Sequence, residues 1–138
     1  MTIDYAPDYT QAPTITNNQR FATTNLFYWN NLMHDLTYLY GFDEPSGNFQ
    51  FSNQGRGGSG NDYVIADAQD AGGTNNANFS TPVDGSAPRM QMYIFNYTTP
   101  NRDGDLDNGV ITHEYGHGIS NRLTGGPEIG RASCRERV

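Results

Sequence analysis

Residues 108–122 read Asn-Gly-Val-Ile-Thr-His-Glu-Tyr-Gly-His-Gly-Ile-Ser-Asn-Arg, and signals for both ends of a helix flank them. Asp107 and Asn108 have side chains that cap helices by accepting hydrogen bonds from unpaired backbone N–H groups. Gly125-Gly126-Pro127 ends the helix, because glycine accepts the left-handed conformation of a C-cap and proline cannot continue the helix. The sequence therefore predicts a helix from about residue 108 to residue 122 or 123.

Three side chains of this helix, His113, Glu114 and His117, form an H-E-x-x-H motif. Residues four apart share one face of a helix, so the two imidazoles can converge on one zinc ion at roughly 2.0–2.1 Å. Glu114 lies about 100° around the helix from His113, where it can reach a water molecule bound to the metal. This arrangement is typical of metal-assisted peptide hydrolysis. The alternative is a surface helix with incidental histidines, but the chain has only 3 histidines, which disfavours a chance pairing.

Two glycines, Gly116 and Gly118, interrupt the predicted helix. Glycine in a helix interior costs roughly 1 kcal/mol relative to alanine. Their presence predicts that another backbone or the sheet approaches closely at this turn. Val110, Ile111 and Ile119 are the apolar side chains that are expected to pack there.

An acidic loop precedes the helix, with Asp103, Asp105 and Asp107 at alternate positions and Glu114 at the twelfth. This spacing imitates an EF-hand calcium loop. However, the sixth position is Asn108, where that loop requires glycine, and Glu114 cannot serve a calcium ion and a zinc-bound water at once. We therefore favour capping of the helix by Asp107 or Asn108, with a calcium site of another geometry as the alternative.

An earlier amphipathic helix is predicted from about Thr24 to Tyr40, after an extended lead-in over residues 1–19. Its apolar side chains recur at helical spacing and predict one strongly apolar face. These residues are Trp29, Leu32, Met33, Leu36, Leu39 and Tyr40. Gly41 is placed to end the helix. His34 falls on this helix, where a lone histidine is more often a packing or surface residue than a metal ligand.

Three segments have the alternation of strands, namely residues 48–52, 63–66 and 89–95. Residues 89–95 are mostly apolar on both faces, so this strand is placed centrally in a sheet. Residues 55–60 satisfy G-x-G-x-x-G, but a strand rather than a helix follows, so we reject a nucleotide site in favour of a flexible turn. The pattern predicts an α+β fold with a mixed, mostly antiparallel sheet.

Composition excludes several classes of protein. The chain has 138 residues, enough for one domain, and its formal net charge of −7 argues against nucleic acid as a partner. Cys134 is the only cysteine, so neither an internal disulfide nor a cysteine zinc site is predicted. No apolar run is long enough to cross a membrane, and no signal peptide is visible. Two glycosylation sequons, at Asn78 and Asn96, would matter only in a secreted eukaryotic protein.

Residues 113–127, His-Glu-Tyr-Gly-His-Gly-Ile-Ser-Asn-Arg-Leu-Thr-Gly-Gly-Pro, closely resemble the active-site segment of the fungalysin family of secreted zinc metalloendopeptidases. Other segments resemble the same family, namely residues 25–44, 62–70, 75–79 and 89–93. The resemblance covers roughly residues 17–127. It implies the upper subdomain of a zincin-like catalytic domain, with the early helix, the sheet and the H-E-x-x-H helix packed together.

By this resemblance, His113 and His117 are zinc ligands and Glu114 is the general base that takes a proton from zinc-bound water. Asn76, Ala77 and Asn78 resemble the edge strand on which such enzymes bind the substrate backbone. The resemblance also implies protein or peptide substrates, an extracellular location and an inhibitory propeptide in the full-length protein.

The family's third zinc ligand is a glutamate on a later helix, in a Glu-Gly-Trp-Ser-Asp-like segment, and no such segment occurs here. Residues 128–138 resemble nothing in the family at this point. We predict that they are an artefact of a truncated or misread gene or a cloning scar, and that residues 1–127 are the N-terminal part of the catalytic domain.

Two histidines leave zinc with too few protein ligands. The chain alone is therefore expected to bind zinc weakly and to hydrolyse protein poorly or not at all. The alternative function is a non-catalytic extracellular binding module that calcium stabilises and that retains the histidine motif incidentally.

Overall fold

The computed structural model describes residues 5–125, so the tail predicted at residues 128–138 lies outside the described residues. Within that part the elements follow one another as α1 (Thr16–Leu39), β1 (Ile65–Asp67), β2 (Ala77–Ser80), β3 (Arg89–Met92), β4 (Ile94–Phe95), β5 (Arg102–Asp103) and α2 (Asn108–Leu123). Short 3-10 helices lie at Glu44–Ser46 and Gly104–Leu106. The predicted α+β class is confirmed.

β3 is the central strand of a three-stranded sheet with the order β1-β3-β2. It runs parallel to β1, with Ile65 opposite Arg89. It runs antiparallel to β2, with Ala77 opposite Met92. Its alternate side chains Met90 and Met92 are fully buried, as expected of a strand with neighbours on both sides. The central placement of this strand is confirmed, and the sheet is mixed.

The strand predicted over residues 89–95 is interrupted at Tyr93. The carbonyl oxygen of Tyr93 accepts a hydrogen bond from the Gly104 N–H at 3.1 Å. Residues 94–95 then leave β3 and pair antiparallel with β5. A change of partner does not alter the alternation of side chains, so the sequence pattern could not reveal it. The β4–β5 pair leads directly into the 3-10 helix and α2.

α1 begins at Thr16 rather than at Thr24, so the extended lead-in is shorter than predicted. The first turns lack apolar periodicity, but Asn18 ties them to the lead-in. Its Oδ1 accepts from the Asp8 N–H at 2.8 Å, and its Nδ2 donates to the Asp8 carbonyl at 2.9 Å. These turns are therefore held by polar contacts with residues outside the helix. The spacing of apolar residues cannot predict such contacts.

α1 ends at Leu39, and Gly41 terminates the helix two residues further on, as predicted. Gly41 has a φ of 97°, in the left-handed region that glycine adopts most easily. Its N–H donates to the Tyr38 carbonyl at 3.1 Å, and the Phe42 N–H donates to the Thr37 carbonyl at 3.0 Å. These two bonds close the helix as a Schellman motif. The turn directs Phe42 into the core, where its side chain is buried.

Only part of the predicted apolar face of α1 is buried in the part of the chain that the structure describes. Ala22 and Leu26 are buried, and Trp29 and Met33 pack against the core. The prediction is wrong for the exposed members of the face, which are Leu32, Leu36, Leu39 and Tyr40. A helix of 24 residues is about 36 Å long. The described strands have at most 4 residues, so they cannot cover the whole length of the helix.

Residues 48–52 do not form the predicted strand. The Gln50 and Phe51 carbonyls accept hydrogen bonds from the Asp62 N–H at 3.3 Å and the Asn61 N–H at 2.8 Å. Asn61, however, has a φ of 69°. This left-handed residue is incompatible with an extended strand, so the two bonds do not continue as a ladder.

The glycine-rich segment over residues 55–60 forms the predicted turn, with φ values of 75° at Gly55 and 112° at Gly57. β1 begins at Ile65 rather than at the predicted Tyr63. The Ile65 N–H donates to the Pro88 carbonyl at 2.9 Å, which starts the pairing with the neighbouring strand.

α2 lies at the centre of the packing, because it contacts α1 as well as β2 and β3. The buried apolar core consists of Leu26, Phe42, Phe49, Ala77, Met90, Met92, Ile111 and Tyr115. Two of these residues, Ile111 and Tyr115, come from α2 itself. Neither of the described helices combines the length and the apolar character that a membrane crossing requires.

Candidate metal centre

α2 carries the H-E-x-x-H motif and has the predicted bounds, Asn108–Leu123. Asp107 is its N-cap, and the Oδ1 atom of Asp107 accepts from the Gly109 N–H at 2.9 Å. The prediction of a cap is therefore confirmed for Asp107. The Asn108 side chain instead accepts from Asn25 Nδ2 at 2.8 Å, which ties the start of α2 to α1.

The imidazole rings of His113 and His117 contact each other edge to face on α2. Their Nε2 atoms are 2.9 Å apart, and their rings are nearly perpendicular at 85°. Two imidazole nitrogens on a tetrahedral zinc ion at ~2.0–2.1 Å would be roughly 3.3 Å apart. A small rotation of either ring would provide that spacing. The pair therefore fits the two-histidine part of a zinc site.

Glu114 follows His113 directly, and only 6% of it is exposed. Burial raises the pKa of Glu114, and the charge of His113 opposes that rise. A carboxylate with a raised pKa is a stronger base, which suits proton transfer near neutral pH. Burial also lowers the pKa of His117, with a further contribution from His113. This shift favours the neutral imidazole that binds metal ions.

His34, on α1, has partners of its own. Its Nδ1 lies 3.0 Å from Asp35 Oδ1, and its Nε2 lies 3.0 Å from Gln50 Oε1. The residue is half-buried in a polar setting. This agrees with the packing or surface role that the sequence favours for it.

Gly118 allows two aromatic rings to pack directly against α2. A Cβ atom at this position would lie 2.5 Å from Cε1 of Phe79 and 2.8 Å from Cε2 of Phe49. The predicted close approach is confirmed for Gly118, although aromatic side chains rather than a backbone make it. Apart from its two chain neighbours and the nearby backbone of α2 itself, no described atom lies within 4 Å of the Cβ position of Gly116, so the prediction is wrong for that residue among residues 5–125.

Arg122, near the end of α2, holds the helix in place and was not singled out from the sequence. Its side chain is only 3% exposed, and its Cζ lies 4.9 Å from the centroid of the Phe49 ring. The guanidinium donates to Asp62 Oδ2 at 2.9 Å, to Asp84 Oδ1 at 3.1 Å and to four backbone carbonyls. Burial raises the pKa of Asp62, and the hydrogen bond from Arg122 opposes that rise.

β2 lies at one edge of the sheet, so no described strand pairs with its outer side. Of the residues predicted to bind substrate, Asn76 is exposed just before the strand, Ala77 is buried and Asn78 is half-buried. The Asn78 side chain donates from Nδ2 to the Tyr93 hydroxyl. Phe79 packs this edge strand against α2. The role of these residues in substrate binding stays a prediction.

The acidic residues before α2 do not gather around a common point. Asp103 Oδ1 accepts from the Asp105 N–H at 3.0 Å, and Asp107 caps α2, so both carboxylates bind backbone groups. Among residues 5–125, no group of three His, Cys, Asp or Glu side chains is arranged to hold a metal ion. The likeness to an EF-hand is one of spacing alone, and the loop gives no support to a calcium-stabilised module.

Asp105 makes the stability of the fold depend on pH. Burial, together with the charge of Asp103, raises the pKa of Asp105 to about 9. In an unfolded chain the pKa of aspartate is about 3.9. The folded protein therefore keeps a proton that the unfolded chain releases. The contribution of Asp105 to stability is complete below about pH 4 and falls by up to about 1.4 kcal/mol per pH unit until about pH 9.

Asp105→Asn should make the free energy of unfolding depend less on pH, because asparagine keeps the shape of the side chain but cannot ionise. Urea unfolding at several pH values between about 4 and 9 measures the effect. Asp107→Asn is the matched control, since asparagine also caps helices and should leave the slope of the parent unchanged. Parallel profiles for the parent and Asp105→Asn would show that Asp105 is not the source of the pH dependence.

An H-E-x-x-H motif on a helix is the pattern of metal-dependent peptidases. A family model described as fungalysin metallopeptidase (M36) matches residues 1–137. The extracellular metalloproteinase MEP of Pyricularia oryzae is 62% identical over 107 residues, which cover 78% of this chain and 17% of that protein. The extracellular metalloproteinase MEP of Fusarium vanettenii is 54% identical over 123 residues, which cover 87% of this chain and 19% of that protein. The extracellular metalloproteinase mep of Aspergillus flavus is 59% identical over 110 residues, which cover 80% of this chain and 17% of that protein.

The chain belongs to the fungalysin metallopeptidase family. This confirms the resemblance that residues 113–127 and the other segments carry. The chain spans about a fifth of the length of these curated relatives.

Proposed function

We propose that this chain is the part of a zinc-dependent metalloendopeptidase that supplies two zinc ligands and the general base for hydrolysis of peptide bonds in proteins. The observation that carries the proposal is the pair of His113 and His117, whose Nε2 atoms are 2.9 Å apart. Buried Glu114 and the family membership support the same class of reaction. The fold proposed around this site is a zincin-like upper catalytic subdomain, with α2 as the active-site helix.

In this proposal His113 and His117 would hold a zinc ion through their Nε2 atoms. Zinc, when bound, lowers the pKa of water and polarises the substrate carbonyl. Glu114 accepts the proton of the attacking water and later delivers it to the leaving amine. The burial of Glu114 serves both steps, because a raised pKa makes the carboxylate a stronger base and keeps the proton available for donation.

The substrate is proposed to bind as an additional strand along Asn76, Ala77 and Asn78. An extended peptide can form main-chain hydrogen bonds with an unpaired sheet edge. β2 offers such an edge, and Phe79 packs it against Gly118 of the motif helix. The Asn78 side chain is already bonded to the Tyr93 hydroxyl, so the contacts proposed along this edge are main-chain ones.

A catalytic zinc site has three protein ligands, and residues 5–125 bring no third His, Cys, Asp or Glu side chain to the histidine pair. We propose that the third ligand is a glutamate from a segment outside residues 5–125, as the family resemblance implies. Weak zinc binding and little or no hydrolysis by the 138-residue chain alone are part of the same proposal.

Several wider assignments are also proposals. An extracellular location is supported by the names of the relatives, which are called extracellular metalloproteinases. Protein substrates and an inhibitory propeptide follow from the family resemblance, and zinc is the only cofactor proposed. The boundary at residue 127 and the artefactual origin of residues 128–138 can be tested by sequencing the source locus beyond Pro127. An in-frame stop directly after Val138 would contradict both.

Zinc titration of single variants tests the proposed site. His113→Ala and His117→Ala should each weaken zinc binding at least about tenfold, because even the outer partners of metal ligands contribute that much. Glu114→Gln should bind zinc like the parent, since Glu114 is a base and not a ligand. His34→Ala is the matched control and should also leave binding unchanged. If His113→Ala bound zinc as tightly as the parent, the site would be wrong.

A further inference from the structure

Two sequons for N-linked glycosylation occur in the described part of the chain, at Asn78-Phe79-Ser80 and Asn96-Tyr97-Thr98. The sequence alone does not indicate which of the two asparagines is glycosylated. The sugar is attached to the Nδ2 atom of asparagine, so the surroundings of that atom decide which site tolerates a glycan. A glycan is bulky and hydrophilic, and it must remain at the surface of the folded protein.

Asn78 is a poor site for a glycan in the folded protein. It lies within β2, where its backbone pairs with Gln91 of β3. The side chain is half-buried, and its Nδ2 donates a hydrogen bond to the Tyr93 hydroxyl. A sugar on Nδ2 would crowd the Tyr93 hydroxyl and project from a strand that packs beside the motif helix.

Asn96 has the opposite surroundings. It is exposed, and it follows directly after β4 at the start of an exposed connection. Its Oδ1 accepts from Asn75 Nδ2 at 2.8 Å, and its backbone N–H donates to Asn75 Oδ1 at 2.8 Å. Both contacts spare Nδ2, which donates to no other residue in the described part of the chain. Attachment of a sugar at Nδ2 therefore leaves the pairing with Asn75 intact.

The other two residues of this sequon are also accessible. Tyr97 is 78% exposed. The Thr98 hydroxyl donates only locally, to the Pro100 carbonyl at 2.9 Å. The whole tripeptide thus lies at the surface, in the turn of the β4–β5 hairpin.

We propose that Asn96 carries an N-linked glycan when the protein passes through a eukaryotic secretory pathway, and that Asn78 stays unmodified in the secreted molecules. The proposal rests on the secretion that is part of the proposed function, but not on the metal site. The co-reactant is an oligosaccharide linked to a polyprenyl diphosphate. A bond forms between Nδ2 and the anomeric carbon of the sugar, the bond from that carbon to the diphosphate oxygen breaks, and Nδ2 loses one proton.

Expression of the chain behind a secretion leader in a glycosylating yeast tests the proposal, with both the medium and the microsomal fraction collected. Treatment with peptide N-glycosidase in heavy-oxygen water converts a glycosylated asparagine into a labelled aspartate that peptide mass spectrometry locates. We expect the label at Asn96. Asn96→Gln and Thr98→Ala should abolish both the label and the gel shift, and the second variant does so with Asn96 still in place.

Asn78→Gln is the matched control and should retain the full gel shift. A secreted chain without sugar at Asn96, or with sugar at Asn78, would overturn the proposal. Zinc titration of the same preparations keeps this outcome separate from that of the proposed function. His113→Ala should weaken zinc binding at least about tenfold and keep the glycan, whereas Asn96→Gln should lose the glycan and keep the zinc affinity of the parent.

Discussion

Replacing Arg122 with alanine should lower the free energy of unfolding by about 3–5 kcal/mol, because it leaves a buried carboxylate without its cationic partner. Asp62 is 0% exposed and depends on Arg122 for its strongest hydrogen bond, at 2.9 Å. Four backbone carbonyls lose a donor at the same time. Small domains have only about 5–15 kcal/mol of stability in total, so the variant should be close to unfolding at room temperature.

Urea unfolding followed by circular dichroism measures this loss. Arg89→Ala is the matched control, since Arg89 also pairs with two carboxylates but is 51% exposed, and surface ion pairs contribute little. The double variant Arg122→Met, Asp62→Asn removes the buried charge and should recover part of the stability. If Arg122→Ala were no less stable than Arg89→Ala, the buried network would not hold α2 as described.

Gly118→Ala should destabilise the fold by about 1–3 kcal/mol, although alanine is the better helix former. The added Cβ would lie 2.5 Å from Phe79 and 2.8 Å from Phe49. Phe49 is buried, and Phe79 belongs to β2, so the rings can move aside only if the sheet shifts relative to the helix. We expect zinc binding to weaken in parallel, because the next residue along the chain from His117 carries the strain.

Gly116→Ala is the matched control on the same helix, because no described atom outside the neighbouring part of α2 lies within 4 Å of its Cβ position. The propensity of alanine should make this variant more stable by up to about 1 kcal/mol. Thermal and urea unfolding of the two variants therefore separate helix propensity from packing. Equal stabilisation by both substitutions would contradict the close packing at Gly118.

The elements with strong local signals could be predicted from the sequence. The bounds of α2 follow from local signals, because Asp107 accepts a hydrogen bond from the nearby Gly109 N–H and Gly125, just after the helix, has a φ of 101°. The central place of β3 is predictable because residues 89–95 together are mostly apolar on both faces, and Met90 and Met92 are buried in the structure. The pair of His113 and His117 was predicted to converge because helical geometry alone sets a spacing of four residues.

The elements that depend on distant partners could not be predicted in this way. Arg122 binds Asp62, which is 60 residues away, and the Gly47 carbonyl, which is 75 residues away. A pattern of neighbouring residues in the sequence cannot predict contacts over such separations. The first turns of α1 depend in the same way on the bonds between Asn18 and Asp8. Residues 48–52 alternate like a strand, but left-handed Asn61 keeps the two hydrogen bonds between residues 50–51 and 61–62 from continuing as a ladder.

The most direct test of the central claim is long-range proton–nitrogen NMR of the histidine rings during a zinc titration. The claim is that His113 and His117 bind one zinc ion together through Nε2. We predict that the Nε2 resonances of both residues shift together on the same binding curve, while the resonances of His34 do not move. A shift of only one of the pair, or a larger shift of His34, would contradict the zinc site.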